Sequence, residues 1–325
     1  MPTPRKKKKS RPCAWEKPLP PLAVEALELP EAAPLLRIAV YGDNQRGIPV
    51  HRRIVEAIGL SGAEVVLHVG DYVQDGRRDS QWEEQFAACA RPLLDSTVFL
   101  GVQGNHDRDS GCYYELLQPP GGRSWFFAEF GPVAFFGLDT NRSLDGTSEQ
   151  MAWLEDALRG SNSPWKLAFF HEPPYSSSWP WPGGAPKTRR VLVPLCEKYG
   201  VSAVFSGHIH NYERSHRAGI AYLITGGGGD TLSKPEQLPN PYREWSAMLH
   251  HFCTADVYSD RIRILARDLA GVPFDGVEIG PNGLAEVELE TRRGYRGPRP
   301  HRYPALGRRS KKGFDGEASF DWRSL

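Results

Sequence analysis

Residues 63–71 read AEVVLHVGD, and residues 97–107 read TVFLGVQGNHD. Each is a continuous apolar run, rich in β-branched residues, that stops at a glycine. A carboxylate, amide or imidazole follows directly. Residues 35–43, LLRIAVYGD, have the same form. Runs of this length without polar alternation predict strands buried on both faces. His68 lies inside the second run and is read as a packed core histidine. Between the runs stand helix-like segments. Pro49 to Leu60 places Ile54, Val55 and Ile58 on one face, and Trp82 to Leu94 is a second helix. Buried strands alternating with helices predict a parallel or mixed sheet covered on both faces.

The same texture continues outward. PVAFFGLDT (132–140), KLAFFHEPPY (166–175), SAVFSGHIH (202–210) and IAYLITGGGG (220–229) read as further strands. Glu149 to Arg159, with Ser148 as N-cap, and Arg189 to Tyr199 read as helices. FCTADVY (252–258) and RIRILARDL (261–269) alternate in character and predict antiparallel strands. This late apolar set suggests a second sheet packed on the first.

The whole chain has 325 residues, 40% hydrophobic and 24% charged, which suits a globular α/β protein with a sizeable core. Its net charge of +1 conceals an asymmetry. Residues 31–290 hold 23 Lys/Arg against 33 Asp/Glu, whereas residues 1–12 and 291–312 hold six and nine Lys/Arg and no acid. Residues 1–34 and 291–325 are expected to lack fixed structure, apart from a short helix around Leu22 to Leu29, leaving a domain at 35–290. A basic tail is ordinarily solvated; its other reading is attachment to nucleic acid through phosphate contacts. The Lys6–Lys9 run is followed by no apolar stretch of signal-peptide length, and no segment approaches a membrane span. A cytoplasmic protein without membrane attachment is expected. The five cysteines (Cys13, Cys89, Cys112, Cys196, Cys253) show no CxxC spacing and are read as reduced.

The chemistry lies where the strands stop. Asp43, Asp71, Asn105 with His106 and Asp107, His171, and His208 with His210 each follow a different apolar run. Loops leaving the carboxyl ends of strands in an open α/β sheet converge on one crevice. Carboxylates, one amide and several imidazoles, without thiolate, suit metals of intermediate hardness such as Mn, Fe or Zn. One catalytic ion takes about three protein ligands. This set is larger, and suits two ions about 3.5–4 Å apart sharing a carboxylate.

In order and spacing the blocks GDNQ, GD, GNHD, FFHEPPY and GHIH resemble the calcineurin-like metallophosphoesterase superfamily, whose pattern is Asp-x-His, GD, GNH[DE], a lone His and GHxH. GHIHNYER (207–214) and the histidine after LDTN are similar to the purple acid phosphatase branch. The likeness covers about residues 36–275. It implies a four-layer αββα sandwich of two mixed sheets flanked by helices, with the metal site at the carboxyl ends of the strands. It further implies a phosphoric ester hydrolase with two divalent or trivalent ions and a metal-bound hydroxide as nucleophile. Asp43 and His210 would bind the first metal, Asp71 would bridge, and Asn105, His171 and His208 would bind the second. His106 would donate to the phosphoryl or leaving-group oxygen, oriented by Asp107. Two positions depart from the pattern. Gln45 stands where the first metal's histidine is expected, and offers an amide oxygen, a weaker donor. Gln74 stands where the purple acid phosphatases carry tyrosine, so an iron–tyrosinate site is not expected. Tyr72 should point to the opposite side of an extended chain.

Other residues carry two readings. Gly226 to Gly229 is a tight turn near the site or a substrate contact. The loop Glu172 to Lys187, with Pro173, Pro174, Tyr175, Trp179 and Trp181, packs on itself or walls the cleft. Tyr175 and Arg214 are substrate-binding candidates; for Arg214 the alternative is an ion pair with Glu213 or another acid. Asp139 and Asn141 fix a loop, and His250 and His251 are structural. The expected substrate is a small phosphorylated molecule. The rivals are a nucleic-acid phosphodiesterase of the same fold and a scaffold that has lost catalysis.

Overall fold

In the computed structural model, which describes residues 19–27, 33–178, 184–233 and 240–289, the chain opens with three strands joined by helical crossovers. These are β1 (Leu36–Tyr41), β2 (Val65–His68) and β3 (Val98–Gly101). β1 pairs parallel with β2, and β2 parallel with β3. The chain then builds a second sheet from β4 (Phe126–Phe130), β5 (Val133–Gly137), β6 (Trp165–Phe170), β7 (Ala203–Ser206), β8 (Tyr212–Arg217), β9 (Ile220–Thr225) and β10 (Arg243–Ala247). Its order is β10-β8-β9-β7-β6-β5-β4, with β5, β6, β7 and β9 parallel.

The chain finally returns to the first sheet with β11 (His251–Val257), β12 (Ile262–Asp268), β13 (Pro273–Gly280) and β14 (Gly283–Glu286). Here the structure corrects the sequence reading. The antiparallel pair β11–β12 exists as expected, but β11 pairs with β1, placing Ala255 opposite Ile38. The late strands therefore extend the first sheet, while residues 126–247 supply the second.

Side-chain alternation explains the layers. Ile38, Val40, Val65 and Leu67 face Phe135, Leu167, Phe169, Phe205 and Leu223 in one cluster between the sheets. Ala39, Tyr41 and Val66 point the other way, onto Ile54, Val55 and Ile58 of the helix Ile48–Leu60. Ala134, Phe136, Ala168 and Phe170 likewise meet Leu154 of the helix Glu149–Gly160 and Leu192 of the helix Pro186–Lys198. The four layers are helix, sheet, sheet, helix.

Smaller differences have local causes. The helical segment from Asp79 to Ser96 passes through a π-turn at Trp82–Ala87. Its Gln85 carbonyl accepts from Asn44 Nδ2 (3.2 Å) and lies 3.2 Å from His51 Nδ1. Ser148 occupies the N-cap position, yet its hydroxyl makes no capping bond; its backbone carbonyl serves the first turn. The short helix expected around Leu22 to Leu29 is present at Val24–Leu27, and residues 19–27 are docked on the domain. Leu27 is fully buried beside Ile54 and Ile58, and Ala23 donates its N–H to the Ala270 carbonyl (2.7 Å). Cys13, most of residues 1–34 and all of 291–325 lie outside the described residues, while Cys89, Cys112, Cys196 and Cys253 are free thiols. Among the described residues no helix is long and apolar enough to cross a membrane.

Candidate metal centre

The carboxyl ends of β1, β2 and β3 meet those of β5, β6 and β7 along one edge of the sandwich. Asp43, Asp71 and His208 sit two to three residues past their strands with φ of 58°, 58° and 68°. This left-handed conformation is uncommon for residues other than glycine and turns each chain sharply as it leaves the sheet. Glycines make room for the result. A Cβ at Gly207 would fall 2.4 Å from Asp43 Oδ2, and one at Gly104 would fall 2.2 Å from Asp71 Oδ1.

The expected residues converge. Ligand atoms of Asp71, His171 and His208 lie within 4.8 Å of one another, as do those of Asp43, Asp71 and His210. Asp71 belongs to both groups. Asn105 joins the first, its Oδ1 2.9 Å from His208 Nδ1 and 3.1 Å from His171 Nε2. Gln45 reaches the same place, donating from Nε2 to Asp71 Oδ2 (2.9 Å). Asp43, Gln45, Asp71 and His171 are essentially inaccessible to water.

Three observations test whether this donor set fits metal ions. First, Asp43 Oδ2 and Gln45 Oε1 are buried oxygens with no hydrogen-bond partner. Such atoms are costly unless something occupies the space before them. Second, His171 Nδ1 donates to the Val69 carbonyl and His210 Nδ1 to the Thr231 carbonyl, both at 2.8 Å. A carbonyl behind each ring fixes the tautomer and leaves Nε2 facing the carboxylates, the usual support for a ligating histidine. Third, the carboxylates draw positive charge into the cluster, and a cation bound there would take the place of the imidazole protons. Burial opposes charge on His171, but Asp71 beside it pushes the imidazole up. Burial likewise opposes charge on His210, but its bond to Asp43 carries it up to about 9. Burial and the charge of His171 push His208 down to about 3. The residues fit divalent cations.

His106 stands beside this cluster and not within it. Its backbone N–H donates to Asp71 Oδ1 (2.8 Å), and its Nδ1 donates to the Gln74 carbonyl (2.7 Å). Asp107 does not orient it. The Asp107 carboxylate accepts the backbone N–H groups of Asp71 (2.9 Å), Tyr72 (2.9 Å) and Gly104 (2.7 Å), tying two loops together. Burial and the charge of Asp71 push the Asp107 carboxyl well above its ordinary range. The orienting group is a backbone carbonyl, which no side-chain pattern reveals.

The two substrate-binding candidates are elsewhere. Tyr175 is buried against Tyr222 and Tyr242 and bonded to Arg217 (2.8 Å). Arg214 is buried and pairs with Asp275 (2.7 Å) and with Glu244, while Glu213 faces Ser177 and Asn240. Both are parts of the scaffold. Trp179 and Trp181 lie outside the described residues. Tyr72 is buried and stacks on His68 with ring centroids 3.9 Å apart, on the side away from the cluster. His68 is a core histidine, holding Asn44 Oδ1 at 2.8 Å.

The glycine run has a specific task. A Cβ at Gly228 would fall 2.1 Å from the Gly42 carbonyl oxygen, and one at Gly47 would fall 2.1 Å from the Gly229 carbonyl. Gly228 and Asp230 donate their N–H groups to the carbonyls of Gly42 (2.9 Å) and Asp43 (3.0 Å). Residues 226–229 thus clamp the loop that carries Asp43 by direct backbone contact.

Residues 36–212 match the calcineurin-like phosphoesterase family, and the chain belongs to it. It is 28% identical over 220 residues to a protein of Arabidopsis thaliana named "Probable inactive purple acid phosphatase 27", covering 54% of this chain and 36% of that protein. It is 27% identical to acid phosphatase type 7 of Mus musculus, covering 65% of this chain and 58% of that protein. The chain spans well under half the length of the first curated relatives it matches. Purple acid phosphatase PPD1 from yellow lupin (Lupinus luteus) shares the fold, with TM-score 0.68 at 20% identity over 77% of this chain and 55% of that one.

Proposed function

We propose that this chain hydrolyses phosphate esters of small molecules at a two-metal centre. The observation that carries this reading is Asp71, whose carboxylate belongs to both three-residue groups. Asp43 with His210 and Gln45 would hold one ion; Asn105, His171 and His208 would hold the other; Asp71 would bridge. Two cations bound there would polarise the phosphoryl oxygens and lower the pKa of a water between them. His106 donates to the leaving-group oxygen while the Gln74 carbonyl holds its Nδ1. Asp107 keeps the two loops that carry Asp71 and His106 in register. Gln45 makes the first site the weaker, because a neutral amide oxygen is a poorer donor than imidazole.

The test is metal analysis and turnover on one sample. The full chain loaded with Mn, Fe, Co or Zn should cleave a generic phosphomonoester or diester and lose that activity to a chelator. A second reading, a scaffold without catalysis, draws on the name of the Arabidopsis relative. Against it stands His106, held by Gln74 beside the cluster although a scaffold has no need of it. Absence of turnover on both ester types with all four metals would favour the scaffold. The basic composition of residues 1–12 and 291–312 motivates the nucleic-acid reading; activity on oligonucleotides that vanishes when both segments are deleted would favour it.

A further inference from the structure

A cavity of about 300 Å³ opens beside His106, lined by Gln74, Asp75, Arg77, Arg78 and Arg108 among others. None of the candidate metal ligands lines it. Three guanidinium groups against one carboxylate leave its wall positively charged. Asp75 chelates Arg77 through both oxygens (2.8 and 3.0 Å) and stands 3.9 Å from Arg78, so it spaces the arginines without cancelling them.

The wall is built, not loosely draped. Gly76 donates its N–H to the His106 carbonyl (2.8 Å), Gln74 accepts from the His106 ring, and Trp82 Nε1 donates to the Gly76 carbonyl (3.1 Å). A Cβ at Gly76 would fall 1.9 Å from the Asp107 carbonyl oxygen, so this loop and the GNHD loop touch backbone to backbone. On the far side Arg108 and Asp109 take φ of 57° and 52°, turning the chain directly after Asp107.

We infer that this cavity receives a second phosphate, carried by the leaving group, so that the preferred substrates are phosphoesters with a further phosphate beyond the scissile one. This rests on the hydrolase reading above for the words leaving group, because His106 is the residue assigned to that oxygen. The arginines are largely exposed and their attraction is screened by salt, so the preference should be of the order of tenfold at low ionic strength and shrink as salt is added. Arginine suits the task, since its planar fork matches a phosphate face.

The test uses the full metal-loaded chain and two non-hydrolysable probes, methylphosphonate and methylenebisphosphonate, with affinities measured by calorimetry. The wild type should bind the bisphosphonate at least about tenfold more tightly. Replacing the arginines together (Arg77→Gln, Arg78→Gln, Arg108→Gln) should remove most of that ratio, with circular dichroism and melting temperature confirming the fold. Any advantage from chelation by the bound metals would survive in the variant and is thereby subtracted. A ratio unchanged by the three substitutions, or no measurable binding of the bisphosphonate to the wild type, overturns the inference. If the ratio behaves as expected while no ester is turned over, the cavity stands and the hydrolase reading falls.

Discussion

The Nε2 atom of His171 lies 3.2 Å from Oδ2 of Asp71, and these two buried residues come from different sheets. Their strands, β2 and β6, are about a hundred residues apart in the chain, so the contact exists only because the two sheets pack face to face with their parallel strands ending at the same edge. Burial opposes the charge of the Asp71 carboxylate, but His171 outweighs it and holds the group below the ordinary carboxylate range. The pair is the joint of the candidate centre.

Asp71→Asn keeps an acceptor for the His106 N–H but removes the shared charge. Metal content per chain should fall to one ion or less, measured by elemental analysis after dialysis. Two ions retained would exclude Asp71 as the bridge.

His106→Ala should leave the metal content unchanged, because the imidazole lies outside both groups of ligands. Turnover should drop by about a hundredfold or more, the usual contribution of a positioned proton donor. Unchanged turnover in a steady-state assay would refute its assigned role.

Gln45→His replaces an amide by an imidazole at a position already 2.9 Å from Asp71. The first metal should bind more tightly, seen as a shifted midpoint in a metal titration. A titration curve that superimposes on the wild type means that Gln45 is not a ligand.

Away from the centre, His51 is buried between Tyr41 and the Gln85 carbonyl, and burial pushes its imidazole down to about 4. In the unfolded chain it titrates near its ordinary value of about 6.5. Between those values the unfolded state binds the extra proton, so stability falls as pH drops from about 6.5 to about 4 and is unaffected by His51 above that window. The contribution at pH 5 is on the order of 2 kcal/mol relative to pH 7.5. Denaturant unfolding at the two pH values should show it, and His51→Gln should flatten the dependence. An equal slope in the variant would assign the effect to other groups.

Which residues converge was legible because the signals are local. A buried strand is apolar along its whole length, and the first polar residue after its glycine must be at the strand end. Asp43, Asp71, Asn105 and His208 follow that rule; His171 ends its apolar run directly after Phe170 with no glycine between, and His210 stands two residues beyond His208. β8, with the sequence YERSHR, was not legible, because its polar side chains are buried by partners far away: Asp275 for Arg214, Ser177 and Asn240 for Glu213. For the same reason Arg214, which looks from its place after GHIH like a phosphate ligand, is a scaffold residue. Asp107 beside His106 suggested an orienting pair, yet adjacent side chains on a turning backbone diverge, and Asp107 turns inward to three N–H groups.

The sequence by itself determined the α/β class, the strand ends and the kinds of donor atom, because hydrophobic period, glycine stops and side-chain chemistry are properties of short segments. Only the tertiary structure decided that β11 to β14 complete the first sheet, that the Gln74, Val69 and Thr231 carbonyls set the three imidazoles, and that Arg77, Arg78 and Arg108 share one cavity wall. Each of these depends on backbone groups or long-range neighbours, and a carbonyl oxygen is present at every residue and so leaves no mark in the sequence.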